Sequence, residues 1–371
     1  MEFIKMHYKY LTNPYKYGGV DLLRAFAIIF VVVYHSATPS KDNIYLYNFV
    51  HFLRVGVDLF FVISGFLIGG MLYRNLKLNK FSLKHFYIDR FYRIMPIYIV
   101  IVILTILARN YYNQDGIQIV EMIKYFFVNV LFFDTYSEYF FPDIFPKTQI
   151  YAVVGGWSLA IEQFFYLLIP IILIYSYKFL SFRRIIQLLI LILLFNILYK
   201  LYFIHNFVES KDYNWIFFHY MRPLFRMDEL LYGVVLALLV SNSNIDTFIS
   251  KNRYFLFVIA FFILIFVLTY INLYNNNLFT SRQFILGEAV WLPSMLALMF
   301  TIIVAITYKM KIENTVIIFI ARISYPLYLV HLFVQRCLPV NFIEYIILTC
   351  VITYFVSLLI EYPMLKKYKK I

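Results

Sequence analysis

Arg24 and His35 are the residues of this sequence whose types and spacing first indicate chemistry. They lie eleven positions apart in an apolar run of about 20 residues, the length that spans the core of a bilayer as a helix. At a rise of about 1.5 Å per residue the two lie roughly 16 Å apart along that helix. A cation then stands near one membrane face and an imidazole, which can act as a general base, near the other. The alternative is a snorkelling arginine and a histidine bonded to a neighbouring helix.

Arg90 and Arg93 form a second pair, immediately before the third apolar run. Three residues apart, they share one face of a helix, and arginine can bind a phosphate group through two parallel hydrogen bonds. The connection from Arg74 to Arg93 is also the most basic of the chain. The alternative is therefore that its charges hold the loop at the inner face and contact anionic lipid.

Small and polar residues interrupt the second apolar run. Ser64 and Gly65 could open a slot for a slender ligand arm, or they could be the small residues that let two helices approach closely. Asp58, in the outer half of the same run, could lie on the acceptor side of a site or be the structural partner of Arg54.

Further charged residues lie at the ends of later apolar runs. Arg226 and Glu229 open the sixth run, where a solvated helix start is the alternative and is favoured for Asp228. Arg322 adds a cation to the ninth run, and His331 is either a ligand contact or a satisfied interfacial histidine. No pair of histidines and carboxylates has metal-ligand spacing, so no metal is predicted.

The composition indicates which elements position these residues. The chain has 371 residues, of which 63% are hydrophobic and 14% are charged, against about 25% charged in a soluble domain. This composition predicts a polytopic membrane protein, an all-α helix bundle. The net charge is +13, but the basic residues lie in short connections between apolar runs, which makes nucleic acid a poor explanation.

Ten apolar runs are long enough to be transmembrane helices in a single integral-membrane domain over 1–371, with short basic tails at 1–17 and 366–371. The segment 117–134 contains Glu121 and Lys124 and predicts an interfacial or re-entrant helix. The predicted spans are 19–38, 50–73, 94–109, 157–177, 185–204, 226–241, 254–273, 286–308, 314–334 and 343–365.

The connections between these runs predict an orientation. Most of their lysines and arginines lie on one set of connections, which includes both ends of the chain, so both termini are predicted to be cytoplasmic. The inner third of the bundle is then mostly cationic, whereas the outer third contains histidines and carboxylates. This layering suits an anionic ligand bound from the cytoplasm and chemistry nearer the outer face.

Glu162 is the carboxylate that the orientation brings to the depth of His35. It lies five residues below Trp157, an interfacial anchor, and therefore about 7.5 Å below the outer end of the fourth span. A buried carboxylate needs a cation or an imidazole as its partner. The sequence predicts His35 as a general base oriented by Glu162. No nearby serine or cysteine stands out as a nucleophile, which favours direct transfer over a covalent acyl-enzyme, although both routes stay open.

Taken in order, these motifs resemble the acyltransferase-3 family of integral-membrane O-acyltransferases. Each motif alone is weak, but their order is specific and extends over nearly the whole chain. The motifs are Asp21-Leu-Leu-Arg24 followed by His35, Phe60–Leu67, Arg90-Phe-Tyr-Arg93-Ile-Met-Pro96, Trp157-Ser-Leu-Ala-Ile-Glu162, Arg226-Met-Asp-Glu-Leu-Leu-Tyr-Gly233, Ile323–His331 and Glu361-Tyr-Pro363.

The resemblance implies ten spans and transfer of an acyl group, usually acetyl, from cytoplasmic acyl-CoA to a hydroxyl of an extracytoplasmic cell-surface glycan. It implies essential roles for the residues matching Arg24, His35, Arg90 and Arg93. The predicted catalytic residues are His35 and Glu162. The predicted acyl-CoA-binding residues are Arg24, Ser64, Gly65, Arg90, Arg93 and Arg322. The predicted acceptor-side residues are Asp58, Arg226, Glu229 and His331.

The implied partners are acyl-CoA, a glycan and the lipid bilayer of a bacterial plasma membrane. Some members of the family carry a soluble hydrolase-like domain after the last span. This sequence ends in Lys366–Ile371, so a relay to such a domain is expected to need a separate protein. One alternative is the same chemistry on a lipid or small-molecule alcohol, or with a longer acyl group. A transporter or flippase is the alternative from another class, although no repeated halves with broken helices are evident.

Overall fold

The structure is a computed structural model, and it describes residues 2–13, 17–36, 43–112, 119–133, 156–207, 221–275, 290–338 and 340–369. Every regular element in these ranges is a helix, which confirms the predicted all-α fold.

The helices of the first part of the chain are α1 (Glu2–Thr12), α2 (Gly18–Ser36), α3 (Ile44–Phe52), α4 (Gly56–Lys77), α5 (Leu83–Tyr112), α6 (Ile119–Val130) and α7 (Gly156–Phe179). Those of the second part are α8 (Phe182–Phe207), α9 (Pro223–Leu239), α10 (Ser243–Lys251), α11 (Arg253–Asn275), α12 (Leu292–Thr307), α13 (Thr315–Cys337), α14 (Phe342–Val356) and α15 (Tyr362–Lys369). A π-helical turn over Ser357–Glu361 joins α14 to α15.

Eight helical segments within the described ranges are long and apolar enough to cross a membrane. They correspond to the first five predicted spans and to the seventh, ninth and tenth, which confirms a polytopic helix bundle. The sixth predicted span is α9, with 17 residues, and the eighth contains α12, with 16 residues. Both are shorter than the roughly 20 residues that cross a bilayer core. The side of the membrane on which the termini lie stays a prediction.

The segment predicted to be an interfacial or re-entrant helix contains α6, which has 12 residues. A helix of this length extends for about 18 Å and is too short to cross a bilayer. Its end is held to α5, because the Tyr98 hydroxyl donates to the carbonyl of Asn129 at 3.2 Å. The Tyr98 ring also stacks on Phe132, with ring centroids 5.0 Å apart. The short helix is confirmed, and its position in the membrane stays a prediction.

The chain forms two compact units. Unit 1 consists of Met1–Asn43, Ser82–Ala160 and Lys311–Ile371. Unit 2 consists of Ile44–Phe81 and Ile161–Met310. The predicted organisation as a single domain stays a prediction.

In unit 1, α13 packs against α2, α5 and α14. The buried core between α5 and α13 includes Ile97, Ile101, Leu329 and Val330. Because lipid is as apolar as these side chains, the hydrophobic effect does not drive the helices together within the bilayer. Close packing and polar contacts between the helices hold them together instead. The packing of α2 on α13 positions the polar residues of both helices.

In unit 2, α4 and α9 cross at two glycines. A β-carbon added to Gly65 would lie 1.9 Å from the carbonyl oxygen of Leu230, and one added to Gly233 would lie 2.1 Å from the carbonyl oxygen of Val62. Both distances are far inside van der Waals contact, so only glycine permits this approach. The structure therefore supports the helix-packing alternative at Gly65, and the ligand-slot alternative finds no support there.

Candidate functional site

His35 lies in the last turn of α2, one residue before the helix ends. Its Nδ1 is 2.8 Å from the carbonyl oxygen of Val31, one turn earlier. A carbonyl oxygen can only accept, so Nδ1 carries the hydrogen and donates it, and Nε2 keeps its lone pair. Within the described ranges no hydrogen bond engages Nε2. His35 thus presents the unengaged basic nitrogen that a general base requires.

His331 lies beside His35, on α13. Its Nε2 is 3.4 Å from Nδ1 of His35, and the two ring centroids are 5.1 Å apart. Nδ1 of His331 is 3.1 Å from the carbonyl oxygen of Leu327, one turn earlier in its own helix. His331 is fully buried, whereas His35 is half-buried. The structure therefore brings together two predicted site residues that are 296 positions apart.

Other residues of unit 1 hold this histidine pair in place. The hydroxyl oxygens of Ser158 and Tyr328 are 2.6 Å apart, and the Tyr328 ring packs 5.6 Å from that of His331. The side-chain amide of Gln335 donates to the backbone carbonyl of His35 and so joins the end of α2 to α13. The charge of Arg336 acts on both imidazoles.

Arg24 lies on the first part of α2 and is buried. Its guanidinium donates to the hydroxyl of Ser324 at 2.9 Å, and that hydroxyl donates to the carbonyl of Ala321 at 2.8 Å. The serine of the Ile323–His331 motif is thus a direct partner of the first predicted cation. Arg24 is fixed by its partner rather than snorkelling freely to the interface.

The other predicted donor-side arginines of unit 1 lie on α5 and α13. Both Arg322 nitrogens Nε and NH2 donate to the carbonyl oxygen of Asn13, with Nε at 2.9 Å. The guanidinium carbon of Arg90 is 5.9 Å from the centroid of the Phe86 ring.

Glu361 is a buried carboxylate on which three predicted donor-side cations act. The charges of Arg93, Arg24 and Arg322 all interact with it. The Ser357 hydroxyl donates to its Oε2 at 2.9 Å, across the π-helical turn. Arg24, Arg93 and Arg322 thus share an electrostatic interaction with one buried carboxylate. We call Arg24, Arg93, Arg322 and Glu361 the arginine cluster.

Sequence reasoning missed two residues that support this cluster. His7, on α1, is fully buried, and its Nε2 is 3.2 Å from the hydroxyl oxygen of Ser357. Since the Ser357 hydrogen is directed to Glu361, Nε2 of His7 donates to Ser357. Burial lowers the pKa of His7, so its imidazole is neutral near neutral pH. The available signal was His7 itself, a polar residue on the apolar face of a short amphipathic helix. Sequence alone does not show whether such a histidine is buried or exposed.

In unit 2, the predicted acceptor-side residues Asp58, Arg226 and Glu229 contact one another. Arg226 donates from NH2 to Asp58 at 2.9 Å and to Glu229 at 3.2 Å, and from Nε to the second oxygen of Glu229. Their side chains are 1%, 6% and 0% exposed for Arg226, Asp58 and Glu229. The main partner of Asp58 is thus Arg226, and the charge of Arg54 also acts on it. A solvated helix start is wrong for Arg226 and Glu229.

The preferred interpretation of Asp228 as a solvated residue is also wrong. Asp228 is fully buried, its Oδ2 is 2.7 Å from Nζ of Lys200, and it accepts from the Ser294 hydroxyl at 3.0 Å. Lys200 is itself fully buried on α8. An acidic first turn has the same sequence pattern whether water or a buried lysine satisfies it. A single lysine inside the apolar run of α8 was the available signal.

Glu162 has a hydrogen-bond partner in its own unit. The Tyr166 hydroxyl donates to Oε2 of Glu162 at 3.1 Å. Since the tyrosine hydrogen is used there, the Ser64 hydroxyl donates to the Tyr166 oxygen, at 2.9 Å. Ser64 and Glu162, predicted for separate roles, are therefore joined through one tyrosine. Glu162 and His35 belong to different units, and their pairing stays a prediction.

Among the residues that the structure describes, no three histidine, cysteine or carboxylate side chains form a group that could hold a metal ion.

Comparison with known sequences gives one family. The sequence profile of the acyltransferase-3 family, described as an acyltransferase domain, matches residues 17–362. No solved structure is significantly similar.

Individual relatives are bacterial proteins. An uncharacterized protein of Haemophilus influenzae is 33% identical over 247 residues, 64% of this chain and 93% of the relative. A Staphylococcus aureus (strain COL) protein named "Putative O-acetyltransferase SACOL0978" is 27% identical over 331 residues, 84% of this chain and 50% of the relative. "O-acetyltransferase OatA" of S. aureus (strain NCTC 8325) is 26% identical over 245 residues, 65% of this chain and 38% of the relative. The chain thus spans half the length or less of these staphylococcal relatives.

Proposed function

This chain belongs to the acyltransferase-3 family, and from that premise we propose that it transfers an acyl group, acetyl in the first instance, from acyl-CoA to a hydroxyl of a cell-surface glycan. One observation carries the proposal. Arg24 joins the arginine cluster in the first part of α2, and His35 presents an unengaged imidazole nitrogen at its end. The names of the staphylococcal relatives support an acetyl group and a hydroxyl acceptor.

The arginine cluster would bind the phosphates of CoA. The charges of three guanidinium groups act on the one carboxylate of the cluster, and the phosphates of CoA would give these guanidinium groups further anionic partners. Arginine suits a diphosphate because its planar donors engage two oxygens at once. Arg90, on the same helix as Arg93, would add a fourth cation to this side.

His35 would act as the general base. Its Nε2 takes the proton of the acceptor hydroxyl while the hydroxyl oxygen attacks the thioester carbonyl carbon. The carbon–sulfur bond then breaks, and the CoA thiolate leaves and receives the proton from the imidazolium. A positioned base contributes about 10²- to 10⁴-fold to such a step. In this proposal the protein supplies no covalent intermediate.

Under the predicted membrane orientation, each end of α2 would meet a different substrate. Under the positive-inside orientation, the arginine cluster would face the cytoplasm, where acyl-CoA is made, and His35 would face the outer surface of a bacterial plasma membrane. The protein would thus bring the thioester end of an acyl-CoA bound from the cytoplasm to an acceptor at the outer surface.

The predicted residues of unit 2 enter the proposal in two ways. Because Nδ1 of His35 already donates to Val31, Glu162 is proposed to act on His35 through its negative charge, which would favour the imidazolium, and Ser64 is connected to Glu162 through Tyr166. Asp58, Arg226 and Glu229 engage one another so fully that we assign them to the fold of unit 2 rather than to the acceptor.

Mass analysis of surface glycans tests the acceptor. The wild-type chain, His35→Gln and His205→Gln would each be expressed in a bacterial strain that lacks its own glycan O-acetylation. His205 is an exposed histidine near the end of α8 and serves as the control. We expect acylated glycan with the wild type and His205→Gln, and none with His35→Gln. Acylated glycan in the His35→Gln strain would refute His35 as the base.

The same cells separate the alternatives. Unmodified glycan together with an acylated lipid or secreted small alcohol would keep the chemistry and change the acceptor. No acylated product in any fraction, with no binding of acyl-CoA by the purified protein, would favour a transporter or flippase.

A further inference from the structure

We infer that His331 is a positioning residue for His35, which holds the imidazole in the tautomer and orientation that leave Nε2 free to act as the base. The effect on catalysis rests on the proposed function. The effect of His331 on the tautomer and orientation of the His35 ring does not depend on which acceptor is used. It replaces the sequence-based expectation that His331 contacts the acceptor.

The hydrogen bonds determine which nitrogen of each ring is protonated. Both imidazoles direct Nδ1 at a backbone carbonyl oxygen, Val31 for His35 and Leu327 for His331, at 2.8 Å and 3.1 Å. Since neither oxygen can donate, both rings carry their hydrogen on Nδ1. Nε2 of His331 therefore has a lone pair, and it is directed at Nδ1–H of His35 at 3.4 Å.

His35 thus shares one N–H between two acceptors, a backbone carbonyl and the His331 ring. The opposite tautomer would set the Nδ1 lone pair of His35 against two other lone pairs, which is repulsive. The Val31 carbonyl lies on the same helix as His35. With this one acceptor, the His35 ring could still rotate about its hydrogen bond. The second acceptor comes from α13 and limits that rotation.

His331 is itself held rigidly, as a positioning residue must be. It is fully buried and has the Tyr328 ring beside it, with the Tyr328 hydroxyl bonded to Ser158. When His35 takes up a proton at Nε2, its Nδ1–H becomes a charged donor, and hydrogen bonds to charged groups are about twice as strong as neutral ones. His331 would then stabilise the imidazolium that the reaction forms. The positive charge of Arg336, which acts on both rings, opposes this imidazolium and makes the second acceptor more important.

The alternative is a purely structural role, in which His331 joins α2 to α13 and does not affect the orientation of the His35 ring. Gln335 supplies the matched control, because its amide also joins these helices but bonds the His35 backbone rather than the ring. A purely structural role predicts similar losses for His331→Leu and Gln335→Met. A positioning role predicts a much larger loss of kcat for His331→Leu.

Kinetics of the purified protein provide the first test. His331→Leu introduces an apolar side chain of similar size and removes the acceptor, and we expect kcat to fall by up to about 100-fold, the loss that a misplacement of about 1 Å can cause. KM for acyl-CoA should change less than about twofold, because the arginine cluster is untouched. His331→Gln restores an acceptor oxygen and should recover most of kcat. An unchanged kcat in His331→Leu, or equal losses in His331→Leu, His331→Gln and Gln335→Met, would overturn the inference.

Nitrogen-15 solid-state NMR of histidine-labelled protein in lipid provides the second test, and it needs no activity. The His35 signals are assigned by their loss in His35→Gln. We expect a protonated Nδ1 and an unprotonated Nε2 in the wild type and in His331→Gln, which keeps an acceptor. The opposite tautomer should be populated in His331→Leu, which has lost it. A wild type with hydrogen on Nε2 would overturn the inference even in an active enzyme. The expected tautomer in a protein that acylates nothing would instead reject the proposed function and leave the His331–His35 geometry intact.

Discussion

The two units arrange their charges in different ways. In unit 1, the charges of three arginines act on the buried carboxylate of Glu361, and within the described ranges no hydrogen bond engages Nε2 of His35. In unit 2, each of two cations has a carboxylate in direct contact, Lys200 with Asp228 and Arg226 with both Asp58 and Glu229. Opposite charges in direct contact offset part of the cost of burying them and join neighbouring helices, and removal of one partner is strongly destabilising. We therefore assign a structural role to these charges of unit 2 and propose ligand binding for the arginine cluster of unit 1.

The largest effect should come from breaking a pair in unit 2. Lys200→Met leaves Asp228 charged, buried and without its cation, which costs about 3–5 kcal/mol in buried pairs. We expect a marked loss of thermal stability in detergent, measured by the fraction of protein that stays folded after heating. The double variant Lys200→Met with Asp228→Leu removes both charges and should regain most of that stability. Equal stability of the single variant and the wild type would contradict a structural role for the pair.

A smaller effect, on a different quantity, should come from the arginine cluster. Arg93→Gln removes one cation from the phosphate site, and a hydrogen bond to a charged group contributes about 1.5–3 kcal/mol. We expect the Kd for acyl-CoA to rise roughly 10- to 100-fold, with little change in thermal stability. Arg253→Gln, at the exposed start of α11, is the control with the same loss of charge. If Arg93→Gln unfolds the protein as Lys200→Met does, the difference between the two units disappears.

Glu361→Gln should act in the opposite direction. The amide keeps an acceptor for the Ser357 hydroxyl but removes the negative charge that opposes an anionic ligand. Because one negative charge near the three arginines is then removed, acyl-CoA should bind more tightly, by a few-fold at low salt and less at high salt. Titration of labelled acyl-CoA at two ionic strengths measures this. Weaker binding would mean that Glu361 shapes the site rather than competing for its cations.

The smallest effect should come from an exposed pair of unit 2. Asp246 accepts from Lys309 and from the Tyr308 hydroxyl. Its partial burial alone would raise the pKa of this carboxyl, but the hydrogen bonds and charge of its partners outweigh burial and lower it. The pair therefore adds stability above the ordinary pKa of aspartate and loses it as the pH falls through the lowered value. Asp246→Asn should cost about 0.5 kcal/mol at pH 7, and this cost should shrink as the pH falls below the ordinary pKa of aspartate, measured by thermal unfolding. A cost that does not change as the pH falls would show that the charge is not the cause.

The sequence predicted the helices and the polar residues of interest better than the contacts between those residues. Apolar runs of transmembrane length identify spans because a helix that crosses the hydrocarbon core needs about 20 apolar residues. Polar residues inside such runs stand out because they are costly in that environment. Depth along a helix could also be estimated, which placed His35 and His331 in one layer. Helix rotation could not be estimated, so their contact across 296 positions was not predicted.

Two failures have a common physical cause. Lys200 was passed over because one charge hardly alters the apolar pattern of its span, and its partner on α9 is 28 residues away. Asp228 was interpreted as solvated because the first turn of a helix favours acidic residues in water as well as in a core. In both cases the sequence shows a charge, but only the packing of neighbouring helices shows what satisfies it.

The most direct test of the central claim is release of free CoA by the purified protein in the presence of acetyl-CoA and native surface glycan. We expect glycan-dependent release by the wild type and by His205→Gln, and a loss of about 10²-fold or more in His35→Gln. Undiminished release by His35→Gln would contradict the assignment of His35 as the base. No release by any form, with no binding of labelled acyl-CoA, would contradict the proposed acyl-CoA-dependent transfer itself.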